Sequence, residues 1–180
     1  MSKRKTIAGR GINDADYATQ SKGVMCPMFS AWCRMLRKDV EVSEEWLLFS
    51  NFRGWMERQD WEGKQISPYV FGDGSIYSAQ TCCFVDRKLA FIVKSLRLGT
   101  EKTIDIPHGF SPRPYRAVVS GKHVGYYKTQ EEAEIGWKRA LLKELKSSAR
   151  KYVGTRTELG LKEMYVDIAK TLPSISRHKS

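Results

Sequence analysis

Residues 115–133 read YRAVVSGKHVGYYKTQEEA. Two short runs rich in Val and Tyr flank Gly121-Lys122, which is the pattern of two extended strands joined by a tight turn. Thr129 with Glu132 three residues later forms an S/T-x-x-E capping box, the start signal of a helix. Ala133, Trp137, Ala140 and Leu141 then recur at helical spacing and supply an apolar stripe. The spacing predicts a small antiparallel sheet, Tyr115–Ser120 and His123–Lys128, with one helix packed on it. Tyr127 is expected in the core, its ring against Trp137 across the helix.

Working outward, residues 97–114 hold Gly99, Pro107, Gly109, Pro112 and Pro114, a composition that resists the interior of helix and sheet alike and reads as a linker. Before it, residues 26–96 read as a separate folded domain. Phe29, Trp32, Cys33 and Leu36 fall on one face of a helix. A second helix is expected from Ser43, capped by its hydroxyl, with Glu44 and Glu45 in the first turn and Leu48, Phe52, Trp55 and Met56 inward. Ile76-Tyr77 and Thr81–Val85 read as two strands around the Gly72–Ser75 turn. A helix from about Asp86 to Leu96, with Leu89, Ile92, Val93 and Leu96 inward, completes a two-strand-plus-helix unit. Residues 1–25, rich in Lys, Gly, Ser, Asn and Asp without periodicity, read as a basic arm, flexible when free. Residues 147–180 read as a basic tail with a last amphipathic helix ending before Pro173. The fold class is α+β.

The chain has 180 residues, with 31 Lys and Arg against 20 Asp and Glu, a formal charge of +11. That excess points to a polyanionic partner, nucleic acid first. It is unevenly spread: residues 26–93 carry 8 basic and 9 acidic side chains, residues 94–128 carry 7 and 2, and residues 138–180 carry 11 and 4. No apolar run is long enough to span a membrane, and the basic start has no apolar stretch behind it, so the chain reads as intracellular. Cys26, Cys33, Cys82 and Cys83 are too few and too poorly spaced for a disulfide scaffold and read as reduced thiols. Cys82-Cys83 lacks the spacing and nearby histidines of a zinc site and reads as two small buried apolar groups.

Two blocks together resemble phage HNH homing endonucleases with a C-terminal Apetala-type DNA-binding domain. The first block comprises Trp32, Met35 and Leu36, then Glu45-Trp46-Leu47, Phe49, Asn51, Phe52, Trp55 and Met56. It continues through Trp61-Glu62-Gly63-Lys64, Tyr77-Ser78, Thr81-Cys82 and Phe84-Val85. The second is Tyr115-Arg116-Ala117, Gly121-Lys122, Gly125, Tyr127, Thr129 and Glu131-Glu132-Ala133. The similarity runs from about Asp14 to Leu142. It implies an HNH-like unit with flanking helices, then a three-stranded antiparallel sheet backed by a helix. HNH cutting needs a divalent metal held by carboxylate, imidazole or amide groups of a hairpin and helix. Where the family places such ligands, this chain reads Ile66-Ser67-Pro68-Tyr69, then Gly74-Ser75 in the turn and Ala90 on the helix, and residues 26–93 contain no His. Asp73 reads as a turn former and Asp86 as a helix cap. The resemblance therefore implies a domesticated endonuclease that is no longer an enzyme, with no catalytic residues, no metal and no cofactor. Such a protein acts as a repressor, of the kind phage satellites direct at helper-phage genes, in the cytoplasm of a bacterial host.

The resemblance also implies that the sheet lies in the major groove of double-stranded DNA. Arg116 matches an arginine that the family uses on DNA. Tyr115, His123 and Tyr126 lie on the same strands, and Arg113, Lys122 and Lys128 are placed to meet phosphate. Lys3, Arg4, Lys5 and Arg10 of the arm read as phosphate or minor-groove contacts. The alternative reading is an active metal-dependent HNH endonuclease with rearranged ligands, and a third is an RNA-binding or protein-interaction module. The last helix is equally a dimer contact or a solvated helix.

Overall fold

The structure is a computed structural model, and it describes residues 6–99, 103–105 and 112–173. The chain is α+β and divides into two compact units, residues 1–90 and 91–180. The division falls inside the helix Arg87–Leu98, a few residues before the end expected for the first domain.

In the first unit the strands are short: β1 Thr6–Ile7, β2 Gly11–Ile12, β3 Gln20–Ser21, β4 Val24–Met25, β5 Glu41–Val42, β6 Gln65–Ser67, β7 Ile76–Tyr77 and β8 Cys83–Val85. Helices α1 (Pro27–Leu36) and α2 (Phe49–Met56) supply the core, and α3 (Arg87–Leu98) follows β8. The expected face of α1 is buried. Trp32 is fully enclosed, its indole N–H donating to the Trp46 carbonyl at 2.7 Å, and Phe29, Phe49, Phe52 and Trp55 surround it and Trp46. Edge-on pairs such as Phe29–Phe49, with ring centroids 5.0 Å apart, favour the ring quadrupoles.

Three expectations for this unit change. First, residues 6–25 are ordered on the domain: β1 pairs with β2, β3 with β4, and Asp14 accepts from the Ser50 N–H at 2.8 Å and the Ser50 hydroxyl at 2.6 Å. That carboxylate caps α2 from 36 residues away. Second, no α-helix begins at Ser43. A 3-10 turn covers Glu44–Leu47, the Ser43 hydroxyl makes no capping bond, and α2 starts at Phe49 with Leu48 only half-buried. Third, the antiparallel partner of β8 is β6, while Ile76-Tyr77 pairs in parallel with Glu41-Val42. The hairpin is therefore wider than expected, and its connection runs from Pro68 to Cys82.

Arg10 is the clearest reassignment. Its guanidinium donates to the carbonyls of Leu36 (3.2 Å), Lys38 (3.1 Å) and Val40 (2.9 Å), closing the C-terminus of α1 where the helix dipole favours a cation. All three guanidinium nitrogens are engaged by the fold. Arg10→Ala is expected to destabilise the first unit by about 1–3 kcal/mol, with Arg10→Lys an incomplete rescue because an ammonium cannot span three carbonyls. A loss below about 0.5 kcal/mol in urea unfolding would return Arg10 to the surface.

Burial also fixes the first unit's response to alkali. The Cys82 thiol is fully enclosed, and burial pushes its pKa up from 9.0 to about 12. Burial likewise raises the Tyr77 phenol above its usual 10.0. Both groups ionise more readily in the unfolded chain than in the folded one, so their stabilising contribution is complete below pH 9 and falls as pH rises through the window towards 12. The urea midpoint is expected to drop steadily above pH 9 and to drop less in Cys82→Ala; a slope identical in the two proteins would exclude Cys82 as a cause.

The second unit contains strands β9 (Thr103–Asp105), β10 (Tyr115–Val119) and β11 (Lys122–Tyr127), then α4 (Gln130–Ala149), a 3-10 turn at Arg150–Tyr152 and α5 (Arg156–Lys170). The sheet is antiparallel with β10 in the centre, ordered β11-β10-β9. Part of the expected linker is therefore the third strand: Thr103–Asp105 pairs with Arg116–Val118. The capping box is present in modified form. Thr129 accepts from the Glu132 N–H at 3.1 Å, while the Glu132 carboxylate takes the N–H of Lys128 at 3.0 Å. Ala133, Trp137 and Leu141 are buried, and α4 continues through residue 149, past the expected boundary at 146. Thr155 caps α5, which packs against α4, so the last helix has a partner within its own unit.

Tyr127 is half-buried rather than a core ring, and the residue of α4 that receives its phenol is Gly136 rather than Trp137. A Cβ at Gly136 would overlap the Tyr127 phenol, which also lies close to Gly125. Gly136→Ala should raise intrinsic helix stability by about 1 kcal/mol, yet the overlap is expected to reverse the sign and cost about 1–3 kcal/mol. A thermal melt in which the variant gains stability would show that the ring can move aside.

Candidate nucleic-acid interface

Alternation along β10 assigns the two faces of the sheet. Ala117 and Val119 are buried towards α4, so Tyr115 shares their side and Arg116 and Val118 point the other way. Paired residues share a face, which places Tyr126, opposite Arg116, and His123, opposite Val118, on the outer side as well.

The pairing carries a β-bulge. Ala117 pairs with Gly125 and Val118 with His123, leaving Val124 as an extra residue in β11. His123 and Tyr126 are three residues apart, a spacing that puts side chains on opposite faces of a regular strand. The bulge brings both outward, and their rings stand 4.7 Å apart at 48°. Both are exposed, while Arg116 is half-buried on the central strand.

The structure thus brings together Arg116, His123 and Tyr126. Tyr115 is removed from this group, because its strand position turns it to the side of α4, where it pairs with Tyr127. Lys122, at the start of β11, and Lys128, before α4, are exposed at the edge of the sheet, and Arg113 is exposed just before β10. Lys3, Arg4 and Lys5 lie outside the described residues. Val118 joins the outer face, a position the alternation of buried residues on β10 could have revealed. The second unit carries 18 basic against 9 acidic residues, and the first 13 against 11, so most of the excess charge lies in the second unit.

β6 and β8 of the first unit form an antiparallel pair, and α3 begins directly after β8. The residues at the positions that the resemblance assigns to metal ligands do not fit a metal. Ser67 is buried with its hydroxyl facing the Tyr69 N–H, and Ala90 offers no donor atom. The Asp73 carboxylate accepts from the Ser75 N–H and that of Asp86 from the Leu89 N–H, each at 2.9 Å, a turn and a helix cap. No three His, Cys, Asp or Glu side chains cluster as a metal site among the described residues. The four thiols are free. No helix among the described residues is long and apolar enough to cross a membrane. No protein-family model, no curated protein and no solved structure matches this chain.

Proposed function

We propose that this chain is a sequence-specific double-stranded-DNA-binding protein, a domesticated phage homing endonuclease that represses transcription by occupying its site without cutting it. The observation that carries this reading is the outer face of the second unit's sheet. A helix covers one side, and the other presents Arg116, His123 and Tyr126 with lysines at the edge. A guanidinium offers the bidentate donors that a guanine edge accepts in the major groove, the paired rings offer stacking and methyl contacts, and the edge lysines meet phosphate. The deep, narrow major groove of RNA would not admit a sheet, which favours DNA.

The experiment is incubation of the full chain with phage genomic fragments, with and without Mg²⁺ or Mn²⁺, scored for mobility shift and for cleavage. Selective retardation of uncut DNA in every metal supports a repressor. Site-specific cutting overturns it in favour of a nuclease with ligands drawn from Asp73 and Asp86. Equal retardation of duplex RNA removes the DNA assignment.

A further inference from the structure

We propose that the groove between α4 and α5 is a docking site for an acidic amphipathic helix of a partner protein. The groove has a volume of about 430 Å³ and a floor of Leu145, Ala149, Leu161 and Tyr165. Val153 and Val166 stand at its mouth, 70% and 47% exposed. Apolar side chains left open beside a concave apolar floor mark a surface that gains from being covered.

The rim decides what covers it. Lys146, Arg150 and Lys162 border the groove, against one carboxylate, Glu158. That carboxylate is already engaged, by the Lys162 ammonium at 2.7 Å and the Gly154 N–H at 2.7 Å. Lys146 and Arg150, one helical turn apart, have no ion-pair partner among the described residues. Arg139, Lys143, Lys146 and Arg150 recur at i, i+4, i+7 and i+11. At 100° per residue they centre on the side of α4 opposite Ala133, Trp137 and Leu141, which are its buried stripe. The rim is therefore basic and faces away from the sheet's outer surface, so a molecule read by the sheet leaves it open.

An apolar floor with a cationic rim complements a helix with an apolar stripe flanked by Asp and Glu. A second copy of the chain would bring like charge onto like, since residues 138–180 carry 11 basic and 4 acidic side chains. A phosphate backbone would satisfy the rim and leave the floor wet. A flat bilayer cannot enter a concave groove.

The test uses the full chain and a fluorescein-labelled synthetic peptide of about four helical turns, Leu at i, i+3, i+4 and i+7 and Glu at the flanking positions. Fluorescence anisotropy is expected to show micromolar binding that weakens with salt. Replacing the Leu positions with Ser, or the Glu positions with Lys, is expected to lower affinity by at least about tenfold. Val153→Glu and Val166→Glu, at exposed positions that the fold tolerates, and the double change Lys146→Glu with Arg150→Glu, should each do the same. Absence of binding at about 100 µM, or binding indifferent to Val153→Glu, overturns the proposal. A wild-type dimer that Val153→Glu converts to monomer in sedimentation assigns the groove to a second copy. Loss of affinity for random duplex DNA in Val153→Glu, with the peptide unbound, assigns it to nucleic acid.

Discussion

Trp32→Ala is expected to destabilise the first unit by about 3–5 kcal/mol, the range for truncating a fully buried aromatic side chain. Trp32 has no exposed surface, and its ring stands 5.6 Å from Phe29 and 5.4 Å from Phe49 between centroids. A Cβ on Gly11 would overlap both it and Leu36, so the N-terminal hairpin rests directly on the indole. Removing the side chain opens a cavity, leaves the Trp46 carbonyl without its donor, and withdraws the surface that seats β2. Trp32→Phe separates these effects: it fills most of the space and still orphans the carbonyl, at about 1–3 kcal/mol. Trp32, Trp46, Trp55 and Trp61 lie in the first unit and Trp137 in the second, so tryptophan fluorescence in a urea titration reports mainly on the first, and Trp137→Phe in the background removes the second unit's signal. A shift of less than about 1 kcal/mol in Trp32→Ala would mean that the surrounding rings close over the gap.

Under the proposed function, Arg116→Ala is expected to weaken binding to the specific DNA site by about 1–3 kcal/mol, about fivefold to 150-fold, with little change in binding to unrelated duplex. Arg116 sits at the centre of the sheet's outer face, paired across the strand with Tyr126. On the proposed function a planar fork there would read a base edge, whereas Lys122 and Lys128 at the edge would neutralise phosphate. The salt dependence distinguishes the two roles: Lys122→Ala should reduce the slope of log K against log salt by about one, and Arg116→Ala should leave it nearly unchanged. Arg116→Lys keeps the charge and loses the fork, so it should resemble the alanine variant at the specific site. If Arg116→Ala and the parent protein bind the specific site equally, the outer face is not the reading surface.

The parts of this fold legible in the sequence are those set by near neighbours. Phe29, Trp32, Cys33 and Leu36 mark their helix, Thr129 and Glu132 mark the start of α4, and the Gly121 turn marks its hairpin. What escaped depends on residues far apart. Asp14 caps a helix that begins more than thirty residues later, and Arg10 closes one that ends at Leu36, so both looked like parts of a loose arm. Thr103–Asp105 sits among Gly and Pro, and only pairing with β10 makes it a strand. The Glu41–Val42 and Ile76–Tyr77 bridge is parallel, and such a pairing leaves no local turn signal. On the sheet's outer face, Arg116 was named from the resemblance and His123 and Tyr126 from their strands, but the facing of Tyr115 required the register.

Val124 has a consequence for how the sheet's outer face can change over generations. Inward and outward positions are counted in twos along a strand, so losing one codon normally exchanges every following side chain between core and surface. Here the extra residue already interrupts that count: with Val124 removed, Gly125 still faces Ala117 and His123 still faces Val118 in an uninterrupted ladder. A one-codon deletion at this point straightens the strand and keeps Tyr126 and His123 outward. The length of β11 can therefore drift by one residue while its contact chemistry is inherited intact, and a lineage can retune the curvature of the surface separately from the side chains displayed on it.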